Sequence, residues 1–195
     1  MSKIELAPDA SGTGTFTVAS PNSNSSYTLT LPIETGTVAT EAYVAAANKV
    51  VQAVSGFSTT QQSISTAGTW TAVSGLTVSI TPTSASNKIL VLATGSFHQN
   101  NNGHSSATVW RNGAAFINGA AATYGNGALG GPYDPNGDCI QTRTYNYLDS
   151  PATTSSITYQ FAVYTSPGGG NVFFNRSSSG NDSASSSIVL VEIAP

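Results

Sequence analysis

Residues 76–97 read LTVSITPTSASNKILVLATGSF. Leu76, Val78 and Ile80 alternate with Thr77, Ser79 and Thr81, the two-residue period of a strand with one buried face. Pro82 stops the run. Lys88 to Phe97 then follows, apolar on both faces in its first half, as is Ile188-Val-Leu-Val191. Strands of that kind are covered on both sides, one by the core and the other by a neighbour, and a subunit interface would supply that neighbour.

The same grammar runs through the rest of the chain. Ile157, Tyr159, Phe161 and Val163 alternate with Thr158 and Gln160. Val109-Trp-Arg-Asn112-Gly113-Ala-Ala-Phe-Ile117 places Asn-Gly between apolar runs, a strong hairpin signal because both central residues of a type I′ turn need positive φ. Further strands are expected at 62–65, 69–73, 106–111, 114–118, 140–148, 156–164, 171–175 and 187–193. About ten strands between Gly56 and Pro195 is the density of a β-sandwich or jelly roll. The expected class is therefore all-β.

Composition agrees. The 195 residues are 39% apolar, enough for a core, but only 8% charged against about 25% in ordinary domains. Thr and the aromatics favour strands, and Gly, Asn, Asp and Ser favour turns. Net charge is −3 and the six basic residues are scattered singly, which leaves no electrostatic footprint for nucleic acid. The single Cys139 excludes a disulfide framework and reads as a small apolar strand residue. No run approaches the roughly 18 apolar residues of a membrane span. The start, MSKIELAPDAS, lacks the apolar core of a signal peptide, so synthesis in a cytoplasm is expected. The sequons at Asn24, Asn175 and Asn181 accordingly read as turn residues.

Two segments precede the head. Residues 1–40 form an arm of short alternating strands in which Phe16 and Val18, then Tyr27, Leu29 and Leu31, present an apolar edge. A two-stranded piece is marginal alone in water, so that edge is expected to pack on sister copies or on a larger particle. Residues 41–55, EAYVAAANKVVQAVS, are the one helix-like stretch. Thr40 can cap it, and Tyr43, Ala47, Val50 and Val54 recur at spacings of four, three and four. The stripe suits a short three-helix neck between arm and head, or a single helix lying on the head.

At this point the residues carry a resemblance. Tyr27-Thr-Leu-Thr-Leu-Pro32 followed by Gly36-Thr-Val-Ala-Thr40 resembles segments of bacteriophage fibre and other virion structural proteins. Leu76 to Pro82, Ser86 to Val91, Leu148 to Thr154 with Ile157-Thr-Tyr159, and Ile188 to Ala194 resemble the C-terminal domain of phage tail-fibre-like proteins. The resemblance implies a virion component and a homotrimer. It further implies a jelly-roll knob similar to tumour necrosis factor and C1q heads, with other virion proteins (a tail adaptor, the baseplate or the capsid) as partners. It brings no catalytic residues and no cofactor. No long shaft is present, so a short decoration or head fibre fits the length as well as a tail fibre.

Candidate chemistry is sparse. Glycoside hydrolysis needs two carboxylates held apart, and the head offers only Asp134, Asp138, Asp149, Asp182 and Glu192. Asp149 reads as a turn residue capping its own backbone. The Tyr133-to-Asp138 loop lacks the further ligands and closing Glu of a calcium loop. His98 and His104 fit no metal-site spacing and read as exposed loop residues; the alternative is a metal held by three copies on a threefold axis. No serine sits in a nucleophile elbow, and Gly168-Gly-Gly170 lacks the Lys-Ser/Thr of a phosphate loop. No enzyme activity and no metal are expected. Binding is the better reading: Tyr124 and Tyr133 can stack on sugars while Asn126, Asp134 and Asn136 hydrogen-bond hydroxyls of a host glycan or groups of a host protein. The alternative is that both tyrosines pack against a neighbouring subunit. The functions expected are a fibre or knob that attaches by its arm, a capsid decoration protein, or a carbohydrate-binding module.

Overall fold

The computed structural model describes residues 11–14, 17, 22–26, 28, 49–100, 105–115, 129–130, 139–168 and 170–195. The chain forms two compact units, Met1–Val38 and Ala39–Pro195. In the first, the described residues are exposed and Ser25 N–H donates to Ser23 Oγ at 3.1 Å. The arm residues Phe16, Val18, Tyr27, Leu29 and Leu31 lie outside the described residues.

The second unit is all-β, with no helix among the described residues. Its strands are β1 (Val50–Ser58), β2 (Gln62–Ile64), β3 (Trp70–Ile80), β4 (Lys88–Gln99), β5 (Ser105–Arg111), β6 (Ala114–Ala115), β7 (Leu129–Gly130), β8 (Gln141–Asp149), β9 (Ile157–Thr165), β10 (Val172–Phe174) and β11 (Ser186–Ile193). All named strand pairings are antiparallel. The first sheet runs β1-β11-β4-β8, with β10 and then β2 continuing beyond the start of β11 along the same edge of β4. The second runs β3-β9-β5, with β6 and β7 sharing the far edge of β5.

One hydrophobic core joins the two sheets. Val73, Leu76, Val78 and Ile80 of β3, Ile157 to Val163 at alternate positions of β9, and Ala107 and Val109 of β5 meet residues from the first sheet. These include Ile89, Val91, Ala93 and Phe97 of β4 and Ile188 and Leu190 of β11. Phe161 and Phe174 cross between the sheets with ring centroids 6.2 Å apart. The Phe161 ring lies 3.1 Å from where a Cβ on Gly95 would sit, so the glycine lets the ring reach the β4 backbone. The Asn112-Gly113 turn forms as its residues require, with φ of 52° and 78°.

The expected strands at 69–73 and 76–81 are one strand, β3, whose register against β9 shifts between Ala72 and Thr77 at a bulge containing Gly75, φ 77°. A larger correction concerns residues 50–55 of the helix expected over 41–55, of which 41–48 lie outside the described residues. Val50 and Val54, read as part of a helical stripe, lie in β1, which pairs with β11 from end to end but for a register shift at Val51. β-Branched Val50, Val51 and Val54 suit a strand, and the backbone bonds gained against β11 outweigh the helical spacing of Val50 and Val54. Gly56 shows how tightly the strand is held, since a Cβ there would lie 2.4 Å from Val78 Cγ2 of β3. Tyr43 and Ala47 lie outside the described residues.

Candidate self-association face and loop-bearing end

Directly paired residues share a face of a sheet, so register determines what each sheet shows to its surroundings. On the side of the first sheet away from the core, successive rows across β1, β11, β4 and β8 read Val50–Ile193–Lys88, Ala53–Val191–Leu90–Leu148, Ser55–Val189–Leu92–Asn146 and Phe57–Ser187–Thr94–Thr144. Phe57 is 67% exposed, Val50 62% and Leu148 44%, while Leu90, Leu92, Val189, Val191 and Ile193 are half-buried. Lys88 is the one charge in these rows, at the rim.

The second sheet shows a different outer surface. Its rows read Trp70–Tyr164–Ser106, Ala72–Ala162–Thr108, Thr77–Gln160–Trp110 and Ser79–Thr158. Ser79 and Thr158 hydroxyls bond at 2.9 Å, and the Trp70 and Tyr164 rings lie 5.6 Å apart and tilted. Ser106, Thr108 and Ala162 on this side are buried and Trp70, Tyr164 and Trp110 half-buried, so its centre is already covered within the chain. Only the first sheet leaves aliphatic side chains over a broad, uncharged face.

The two ends of the head also differ. At one end, called the base, β1 begins and β11 finishes, and Lys49 Nζ donates to the Pro195 carbonyl. Here buried polar groups are saturated. Glu192 is fully buried; its Oε1 accepts from Asn87 Nδ2 (2.6 Å), Thr83 N (2.7 Å) and Thr83 Oγ1 (2.8 Å), and its Oε2 from Gln52 Nε2 (2.6 Å). Burial raises the carboxyl's pKa, but the bonds from Asn87, Gln52 and Thr83 more than reverse that and hold it at about 2. Asp149 is buried too. Arg111 Nη1 donates to both its oxygens at 2.8 and 2.9 Å, and Tyr159 OH donates to Oδ2 at 2.6 Å. Burial, then the bond to Asp149, keeps the Tyr159 phenol protonated far above its ordinary range. The expectation that Asp149 caps its own turn is thus corrected: it ties β8 of the first sheet to β5 and β9 of the second.

At the opposite end β4 finishes at Gln99, β5 begins at Ser105, β7 finishes at Gly130, β8 begins at Gln141 and β9 finishes at Thr165. The segments 101–104 and 131–138, which connect these strand ends, and the segment 116–128 between β6 and β7 lie outside the described residues. The candidate contact residues Tyr124, Asn126, Tyr133, Asp134 and Asn136 belong to these segments and lie outside the described residues, as does His104.

His98 departs from the exposed loop residue expected. It is a β4 residue with no exposed surface, its Nδ1 3.1 Å from the Cys139 carbonyl and its ring stacked on Phe173, with Arg176 lying 5.3 Å over Phe173. An imidazole sealed within one protomer is closed to a metal shared by three copies, and no metal-binding cluster occurs among the described residues. Cys139, expected inside a strand, is exposed just before β8. Among the large aromatics, Phe161 and Phe173 are buried, Trp70 and Trp110 are half-buried on the outer side of the second sheet, and Phe116 lies outside the described residues.

No protein-family model matches the chain, and no curated protein matches it in sequence. No helix is long and apolar enough to cross a membrane among the described residues.

Proposed function

We propose that this chain is a structural protein of a bacteriophage virion, a tail fibre or receptor-binding knob that attaches by its N-terminal arm and presents a trimeric head to the host surface. The observation that carries the reading is the aliphatic outer face of the first sheet. Burying each Leu, Val or Ile on it is worth roughly 1.5–3 kcal/mol when complete, and interface cores are depleted in charge as this face is. A neighbouring copy covers it, because a closed ring of three copies leaves none of the three faces exposed.

The strand orders β1-β11-β4-β8 and β3-β9-β5-β6 also support a jelly roll, since successive strands pass back and forth between the two sheets. The polarity of the head fits attachment at one end and contact at the other. β1 enters at the base, while the Asn-, Gly- and Tyr-rich segments join strands at the opposite end, where binding loops on a rigid scaffold are useful.

Light scattering of the full chain tests the assembly. A trimer is expected, and Leu90→Asp combined with Leu148→Asp should yield a folded monomer. A wild-type monomer would sink the reading. Deleting residues 1–40 should leave a trimeric head that no longer enters phage particles.

A further inference from the structure

The buried polar groups without partners gather away from the base, beside bonded ones such as Asn175, Ser96 and Ser186. At the base, Glu192 and Asp149 have every carboxylate oxygen engaged. At the other end, three side-chain atoms are sealed from water without a hydrogen-bond partner: His98 Nε2, Ser105 Oγ and Thr165 Oγ1. Ser105 and Thr165 are directly opposite each other across β5 and β9, on the face turned to the first sheet. Tyr145 OH, also unpartnered, lies midway along β8.

A buried hydroxyl without a partner loses its bonds to water and gains nothing in return. That penalty belongs to the closed form, because any opening that wets the atom removes it. Stability in a fold is unevenly distributed, and regions carrying such penalties open at lower free energy than the whole. Here the penalties collect where β4, β5 and β9 meet the connecting segments.

We propose that the ends of β4, β5 and β9 around His98, Ser105 and Thr165 open separately from the base, wetting Ser105 and Thr165 while the core around Leu190 and Val91 stays closed. The two ends then have different tasks. The base holds β1 fixed, and the far end changes shape on contact with a surface. The opening itself does not depend on the oligomer; its use in contact rests on the reading of the head as a knob.

Hydrogen exchange on the full chain, read residue by residue, tests the opening. The amides of 97–99, 105–107 and 163–165 are expected to exchange well before those of Val91 and Leu190. Thr165→Val keeps the shape and removes one orphaned hydroxyl, so it should slow exchange at the loop-bearing end by about fivefold or more and raise Tm, leaving the base unchanged. Ser105→Ala should act in the same direction. Equal protection at both ends overturns the proposal, and so does a Thr165→Val protein with unchanged or faster exchange there. Because light scattering reports assembly independently, a failed opening and a failed knob reading are distinguishable.

Discussion

Replacing Glu192 by Gln isolates the polar clamp at the base of the head. Gln keeps the shape, and its Oε1 can still accept from Asn87 and Thr83. Its amide nitrogen, however, replaces the oxygen that accepts from Gln52 Nε2 at 2.6 Å, setting two donors against each other and removing the charge from all four bonds. The magnitude follows from linkage. Glu192 is held at about 2 instead of 4.5, and about 2.5 units at 1.36 kcal/mol each is about 3 kcal/mol. A carboxyl depressed in the folded state contributes stability that is complete above the unfolded value and lost as pH falls through the folded one. The stability gap between wild type and Glu192→Gln should therefore be constant above pH 5 or so and narrow by about 1.4 kcal/mol per unit between pH 4.5 and pH 2. Urea unfolding at matched protein concentration, followed by the fluorescence of Trp70 and Trp110, measures it. The other carboxylates titrate alike in both proteins and cancel. A gap that does not change between pH 6 and pH 2.5 would refute the reasoning.

Two further substitutions test the seams between the sheets. Gly56→Ala puts a methyl 2.4 Å from Val78 Cγ2, so β1 and β3 must separate, at about 1–3 kcal/mol in the same urea assay; wild-type stability would show that the edge yields freely. Asp149→Asn removes the charge facing Arg111 and weakens the acceptor for Tyr159 OH, and should lower stability by about 2–3 kcal/mol, with Arg111→Met adding little on top because both act on one pair. Additive losses in the double variant would mean that the two residues act separately.

Much of the head was legible because its strands carry their burial pattern locally. Leu76, Val78 and Ile80 alternate into the core as their spacing requires, and Asn112-Gly113 makes the hairpin its φ preferences demand. The errors lie where partners distant in sequence decide. Residues 50–55 have a helical spacing of apolar positions, but β11, about 140 residues later, offers a ladder to β1. Asp149 looks like a turn residue until Arg111 and Tyr159 converge on it from the other sheet. Asn175 looked like a plain turn residue in a sequon, yet it is fully buried at φ 57°, its Nδ2 donating to the Ser58 and Thr60 carbonyls and its Oδ1 accepting from Ser186. No spacing in the sequence signals such contacts. The outer face of the first sheet was partly legible, as the double-sided apolar runs in Lys88–Phe97 and Ile188–Val191; only the register adds Phe57, Val50 and Leu148 to them.

The low charge content and the aliphatic face belong to one physical logic. With 8% charged residues, and only Lys88 in the described rows of the face, the proposed assembly would have little electrostatic pattern by which to orient its copies. Orientation must then come from shape and from the order of polar and apolar rows. The rows supply such an order: Leu90, Leu148, Val191 and Ile193 lie toward the base, and Thr94, Thr144 and Ser187 toward the loop-bearing end. Sliding one copy by two residues would set hydroxyls against aliphatic groups, burying unpaired polar atoms that cost more than the apolar contact returns. Phe57 breaks the gradient, an exposed ring on the edge strand level with the hydroxyl row, and in the assembly proposed above it would be the wedge by which one copy registers against the next.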